Sequence, residues 1–594
     1  MLLTSPLLLS TALLSTSSAF SPTPIPTQDD SATDLIVMYS AGGEACFADP
    51  KDQALLKALQ LIGERLPELS AEIPDFPPLP PDAIPLLGRL LSGPMTFRLG
   101  TVGPDPSMMV PYYGQLTLPE ASAEEASALS SRMTNLLTMA GMPAEADADG
   151  KVTLPLPIPA WYGPEGNSFV LAVGMDDGGR VEPGYTGLPD GVQPTLAASI
   201  EYGKLMKSIL QLAEMYGEGA EMQEALQVYE SLGLYDLSLQ MAAGHDEDRS
   251  YSILRMPGYA ASMREQGLMP ERALSSKDLA LIPVDANFAS VSTANIGGTL
   301  DMMMGFIEQA MADAGMGGDP LEMAAGMTGI HPRTDLIDHL GSSFGLYTSD
   351  STGGGGLMSA VMFMEVKNGE SLTDTSERLI GMINGIAGQQ AMGYVAFRDW
   401  ESSGIDYTTL TFPGLPVPLE LTCTMSDGYA FMGLTPQAVM AAVHQQKSGG
   451  KSLLDHPRFR EQLAGGIEGL MSVQFIDTPR LLADGYGVMS LVASALRNGT
   501  RSRTDESRDA GLILPAYPLL VKGARATVTA TRADGDDWVA ETRGDRSVLV
   551  NLTSGFGAVT GTPLGLLLLG GLGAGIFQQQ EVSAGMIESE VFGR

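Results

Sequence analysis

The chain is 594 residues long, 44 % hydrophobic and 18 % charged, too long for a single hydrophobic core and too apolar for wholesale disorder. It carries 34 Lys and Arg against 70 Asp and Glu, a formal net charge of −36. Such a surface repels phosphate backbones and anionic lipid headgroups, which argues against nucleic-acid binding and against charge-driven adhesion to acidic membranes, and it resists self-association.

Residues Leu2 to Leu14 form a Leu-rich apolar run, and Ser17-Ser18-Ala19 places small residues where a signal peptidase needs them. Residues 1–19 therefore read as an export signal, although no Lys or Arg precedes the run. Residues 20–33, rich in Pro, Thr and Ser, read as a linker. The expected destination is the periplasm or cell envelope. Only Cys46 and Cys423 are present, one in each half of the chain; two buried free thiols are expected rather than a disulfide.

Four features recur in the same order. Leu86-Leu87-Gly88 is read as a turn leading to the strand Met95–Leu99, and Leu336–Gly341 leads likewise to Phe344–Tyr347. The strand Tyr113–Leu118 runs into a helix with an acidic first turn at Glu124-Glu125, and Val361–Val366 runs into one at Asp374–Glu377. Ile200–Met206 matches Ile476–Leu482, each joining a strand to a helix. A hairpin with the acidic turn Gly244–Asp248 matches one with the turn Ala533–Asp537. Alternation gives the strands, spacings of three and four give the helices, and Gly with Asp suits tight turns. The expected organisation is copy one at 34–265, carrying an extended Pro-rich insertion at 74–85, and copy two at 280–546, with a short polar join near Arg272–Asp278. Strands arriving in hairpin pairs with interspersed helices predict an α+β fold: two tandem copies of a mostly antiparallel sheet with helices packed on one face. The loop Ser349–Gly356 is Gly-rich and expected to move.

Few residues suggest chemistry. Gly341-Ser342-Ser343-Phe344-Gly345 has the G-x-S-x-G spacing, but a nucleophile elbow needs a strand before the serine and a helix after it, and here the order is reversed. His331, Asp335, Asp338 and His339 share helical spacing yet lack a third clear ligand, so a capping role is expected. Glu145–Gly150 and Asp534–Asp537 resemble fragments of calcium loops, but Leu156 stands where the first would need its bidentate carboxylate. Gly353–Gly356 lacks the Lys-Ser/Thr of a phosphate loop and does not open a helix, so it lends no support to nucleotide binding. The 34 methionines, dense at Met302–Met304 and Met323–Met327, are read as helical core filling. No catalytic, metal or cofactor residue is assigned.

Residues 547–594 form an apolar, Gly-rich segment with an acidic tail. Phe556–Phe577 is long enough to span a bilayer, but its outer flank is acidic (Glu581, Glu588, Glu590) and Pro563 interrupts it. A helix packed on the domain or on a partner is expected, with membrane anchoring second.

Leu340-Gly341 before a strand, the strand and acidic helix of Met364–Glu377, and Leu453-Leu454-Asp455-His456-Pro457-Arg458-Phe459 together resemble a family of uncharacterised exported bacterial proteins with a duplicated domain of unknown function. The resemblance covers about half the chain, chiefly copy two. It implies a fold and no activity. The expectation is a non-catalytic envelope protein that binds a protein partner or serves as a scaffold. The alternatives are a secreted serine hydrolase using Ser343 and a weak calcium-binding surface protein.

Overall fold

The structure is a computed structural model, describing residues 32–72, 80, 82–102, 112–142, 145–156, 159–174, 187–215, 237–313, 317–415, 417, 419–463, 465–502 and 505–560. The expected export signal, nearly all of the linker, most of the Pro-rich insertion and residues 561–594 lie outside the described residues.

Among the described residues, nineteen strands and the helices between them show an α+β fold. The first half contains β1 (Ala32–Ser40), helix α1 (Gln53–Glu72), helix α2 (Ala83–Ser92), β2 (Met95–Val102), β3 (Tyr112–Pro119), helix α3 (Ala123–Met139), β4 (Val152–Thr153), β5 (Ala160–Glu165), β6 (Ser168–Val173), β7 (Gln193–Ile200), helix α4 (Tyr202–Met215), β8 (Leu239–His245) and β9 (Arg249–Met256). The second contains β10 (Ala286–Thr293), helix α5 (Ile296–Asp313), helix α6 (Pro320–Thr328), β11 (Leu340–Ser349), β12 (Val361–Val366), helix α7 (Gly369–Gln390), β13 (Ala396–Ser402), β14 (Ile405–Thr411), β15 (Thr422–Ser426), β16 (Tyr429–Gly433), helix α8 (Pro436–Ser448), β17 (Leu470–Ile476), helix α9 (Thr478–Thr500), β18 (Thr527–Asp534), β19 (Asp537–Asp545) and helix α10 (Val548–Thr560).

Every strand pairing is antiparallel, and the pairings link all nineteen strands into one sheet. From edge to edge the order is β4-β5-β6-β3-β2-β1-β7-β8-β9-β19-β18-β17-β10-β11-β12-β16-β15-β14-β13. The two halves meet at β9 and β19, which pair from Arg249 opposite Asp545 to Met256 opposite Trp538. This seam buries Ala242, Ile253 and Val539.

Alternation decides which face each strand buries. In β10 the side chains of Ala289 and Val291 enter the largest core, where they meet Tyr347 of β11, Phe363 of β12, Phe431 of β16 and Phe475 of β17. Helix α8 closes this face with Ala438, Val439, Ala442 and Val443. Thr435 and Pro436 start that helix cleanly: the Thr435 hydroxyl accepts from the Ala438 N–H and the proline needs no donor. A second core is shared by both halves, since Leu55, Leu56 and Leu61 of α1 pack with Leu482 and Met489 of α9 and with Leu549 of α10. A third, in the first half, joins Leu86 of α2 and Leu129 of α3 to Leu118, Tyr162 and Phe169 of the sheet.

Two expectations change here. Leu86–Gly88 is not a turn but lies inside α2, and Pro85 is in that helix rather than in extended chain, because Leu86 anchors the helix to the sheet. Within the short polar join, Leu274 is buried in the main core and Asp278 is fully buried. The Ser349–Gly356 loop is pinned, with Thr352 Oγ1 donating to the Ser359 carbonyl at 2.7 Å and Asn287 Nδ2 to the Gly355 carbonyl at 2.6 Å. Beyond residue 546, Val548, Leu549 and Val550 of α10 join the second core.

Candidate functional site

Ser343 lies within β11, fully buried, and its hydroxyl donates to Asp278 at 2.6 Å. The strand begins at Leu340, so Gly341–Gly345 is extended chain rather than a helix-to-strand turn. Asp278 also accepts from both Arg272 guanidinium nitrogens at 2.8 Å, from Tyr429 Oη at 3.1 Å, and from the Ser275 N–H and hydroxyl at 2.8 Å. Arg272 reaches on to Glu365 at 2.9 Å, and Glu365 accepts the N–H groups of Ser342 and Ser343. Burial opposes ionisation of Asp278, but the Arg272 fork and the serine donors outweigh it and hold this carboxyl well below the usual range. Both oxygens of Asp278 and Oε2 of Glu365 are occupied by these donors, and no imidazole is among them. Its evident effect is to fasten the 272–278 segment to β11, β12 and β16. Ser275 with Asp278 forms a capping box, the one part of the network readable from spacing.

In the His331–His339 group, His331, Asp335 and Asp338 serve as helix caps and ion-pair partners. His331 Nδ1 accepts from the Thr334 N–H at 3.3 Å as a helix cap, Asp335 accepts from the His331 N–H, and Asp338 pairs with Arg333 at 2.7 Å. Among the described residues no group of three or more His, Cys, Asp or Glu is arranged to hold a metal. The Asp534–Asp537 turn is clasped by arginines of the first half: Arg255 bonds Asp537 at 2.6 Å and Asp534 at 3.1 Å, and Arg264 bonds Asp536 at 3.0 Å. In the other acidic loop, Asp147 Oδ1 accepts the N–H groups of Asp149 and Lys151. Both cysteines are free; Cys46 is buried, whereas Cys423 is only partly so, because it faces away from the main core.

Two small cavities flank the Asp278 network. One, of about 100 Å³, lies between Asn295, Gly297, Arg333 and Lys367; Lys367 is paired with Glu271 at 3.1 Å and Arg333 with Asp338 and Asp301. The other, of about 180 Å³, lies between Val366, Thr373, Met425 and Tyr429, with the Ser426 Oγ lacking a hydrogen-bond partner at its edge. Neither gathers a nucleophile, a base and an oxyanion donor.

The largest unexplained feature is apolar. Opposite the main core, β11, β12, β16 and β15 present the cross-strand row Leu346–Met362–Met432–Cys423, and Leu346 and Met362 are 37 % and 49 % exposed. Helix α5 runs beside β11 and helix α7 beside β13, while α6 bridges from α5 to the turn at Pro332–Leu336. These helices bury little: α6 has no buried residue and α7 only Thr375. Met303 and Ile307 on α5 and Met323 and Met327 on α6, each pair at i,i+4 spacing, are 50, 39, 44 and 87 % exposed. The expectation that these methionines fill a core is therefore overturned. Periodicity alone reads identically whether a stripe faces a core or water. In the first half, by contrast, α2 and α3 close over the sheet through Leu86, Leu118, Leu129 and Phe169.

Compared with protein-family models, with curated proteins and with solved structures, the chain matches none. The resemblance drawn from Leu340-Gly341, Met364–Glu377 and Leu453–Phe459 thus stands on those residues alone.

Proposed function

We propose that this chain is a non-catalytic, exported binding protein of the cell envelope, built from a duplicated α+β unit, and that the open methionine face of the second half is its working surface. The observation that carries the reading is the exposed cross-strand pair Leu346–Met362, with exposed apolar residues on α5 and α6, while the buried carboxylates and the candidate nucleophile Ser343 are engaged by protein groups. Exposed apolar area of this kind marks interaction surfaces.

Duplication is supported by matching connectivity. In each half a first strand (β1, β10) is followed by helices, a strand pair (β2-β3, β11-β12), a long helix (α3, α7), further hairpin strands, and then a strand that returns beside the first (β7, β17). A helix and a hairpin follow (β8-β9, β18-β19). The last strands of the two halves pair antiparallel, as equivalent strands related by a two-fold axis would. Export rests on the apolar run Leu2–Leu14 and the small residues Ser17-Ser18-Ala19 that follow it.

The test is partition of Nile red, a neutral apolar dye, into the purified chain. Enhanced dye fluorescence is expected, with loss of the enhancement in Leu346→Glu/Met362→Glu at unchanged melting temperature. No enhancement, or enhancement indifferent to these changes, overturns the reading. Labelling of Ser343 by a fluorophosphonate would revive the hydrolase alternative.

A further inference from the structure

Helices α5 and α7 carry carboxylates without cationic partners among the described residues. Glu370, Asp374 and Glu377 follow one another along a side of α7, and Glu308 is exposed on α5; none of the four has a cationic partner among the described residues. Arg333 pairs with Asp301 at 2.5 Å and Asp338 at 2.7 Å, and Arg378 pairs with Asp335 at 3.4 Å. Helix α7, which carries three of these carboxylates, adjoins the Met327 end of α6, where Arg378 donates to the Gly329 carbonyl at 3.3 Å.

This pairing of groups restricts what can cover the face. An anionic lipid surface meets like charge at the rim. A second copy of the chain would bring the same carboxylates against one another in an isologous contact, which costs affinity. A polypeptide segment with an apolar stripe and Lys or Arg along its flanks satisfies both parts at once, burying its stripe on the methionines and pairing its cations with Glu370, Asp374 and Glu377. Methionine is suited to such an occupant, because an unbranched, polarisable side chain repacks against differing partner surfaces at little cost.

We propose that the face formed by α5, α6 and the second side of β11 and β12 docks a cationic amphipathic helix of a partner polypeptide. The proposal rests on the reading of this face as a binding surface and names the chemistry of its occupant.

The experiment is a fluorescence-anisotropy titration of the purified full chain with a labelled Leu/Lys amphipathic helix. A Leu/Glu counterpart, oligolysine and phosphatidylcholine vesicles serve as comparators. The Leu/Lys helix should bind, and Met323→Asn/Met327→Asn should weaken it about tenfold or more through lost apolar burial. Glu370→Gln/Asp374→Asn/Glu377→Gln should weaken it and flatten its dependence on NaCl, while oligolysine binding should ignore the methionine changes. The proposal is overturned if the Leu/Glu helix binds as well, if the methionine variants bind Leu/Lys unchanged, or if vesicles bind and the peptide does not. Should Nile red bind at this face while the Leu/Lys helix fails, the occupant is wrong and the surface stands; failure of both removes the surface itself.

Discussion

Arg255, on the last strand of the first half, donates to Asp537 at the final hairpin of the second half at 2.6 Å, and the same carboxylate accepts the Gly258 N–H at 3.0 Å. The contact has a counterpart at the opposite end of the seam, where Arg525 of the second half bonds Asp248 in the first-half hairpin at 3.0 Å and Arg546 donates to the Glu247 carbonyl at 2.9 Å. Each acidic turn is thus held by arginines of the other half. The Asp534–Asp537 turn, which reads as a calcium-loop fragment, acts here with the Gly244–Asp248 turn as a clasp across an antiparallel junction.

Arg255→Met should lower stability by about 1 kcal/mol, since the pair is partly exposed and such pairs are worth little more. The loss should shrink in high salt, where screening weakens the pair in the parent chain. Urea midpoints at low and high NaCl measure both effects. A loss that persists unchanged in salt would mean that the arginine acts through packing of its stem.

The halves should not fold apart. Separating them frees the β9 and β19 edges along the whole seam and splits a core in which α1 meets α9 and α10. An exposed strand edge of that length promotes aggregation. Residues 32–265 produced alone should therefore be aggregated or protease-sensitive, and co-expression with residues 266–594 should rescue a soluble complex on size-exclusion chromatography. A monomeric, protease-resistant 32–265 fragment would contradict this.

The reason the halves looked separable is instructive. Hairpin turns, the Tyr113–Leu118 and Val361–Val366 strands and their following helices were legible, because alternation and three-four spacing are local properties. The seam was not: nothing in Arg249–Met256 says that its partner is Asp537–Asp545 rather than an open edge. Asp52 was invisible for the same reason, since the helix it caps begins at Val548, nearly the whole chain away. The Ser275–Asp278 capping box was legible as a helix start, but the same aspartate's links to Ser343 and Tyr429 depend on strands distant in sequence. The methionine stripes were legible as stripes, and only the structure shows that water lies over them.

Asp52 makes a pH prediction with a defined sign. Its buried carboxylate accepts from Ser547 Oγ at 2.7 Å, from the Val548 N–H at 2.7 Å and from the Leu549 N–H at 3.0 Å. Burial outweighs these donors and pushes its pKa from 3.8 up to about 6. A carboxyl raised in the folded state holds its proton more tightly there than in the unfolded chain. Its contribution to stability is therefore full below about pH 4 and is lost as the pH rises through about 6, a difference of about 3 kcal/mol at most. Asp52→Asn keeps an acceptor and has no such proton. Its stability relative to the parent should rise between about pH 4 and pH 8, while other groups, His245 and Asp545 among them, cancel in the comparison. Parallel pH profiles from denaturant titration would show that Asp52 ionises normally.

Neither thiol should react in the native chain. Burial raises the Cys46 thiol to about 12 and also raises that of Cys423, and the thiolate is the reactive form. Ellman's reagent at neutral pH should therefore label neither cysteine rapidly in the folded protein and both after unfolding. Fast labelling of a single site in the folded protein would locate an opening motion around Cys423, the less buried of the two.

Glycine placement distinguishes a packing requirement from a tolerance within one helix. Helices α9 and α10 cross where Gly485 faces Gly557: a Cβ on Gly485 would collide with the Thr553 carbonyl, and one on Gly557 with the Leu481 carbonyl. Those obstacles are helix backbone, which yields only if the two helices move apart, and their separation opens the core shared by Leu482, Met489 and Leu549. Gly485→Ala should cost about 3 kcal/mol, the upper part of the range for overpacking. Gly487, two residues on, is exposed with nothing near its would-be Cβ. There alanine should instead stabilise the helix by up to about 1 kcal/mol, because the backbone entropy penalty of glycine is removed without a clash. Opposite signs at the two positions, read from urea midpoints of the single variants, would establish the close crossing of α9 and α10. Equal small effects would mean that these helices pack further apart than the Gly485–Gly557 contact requires.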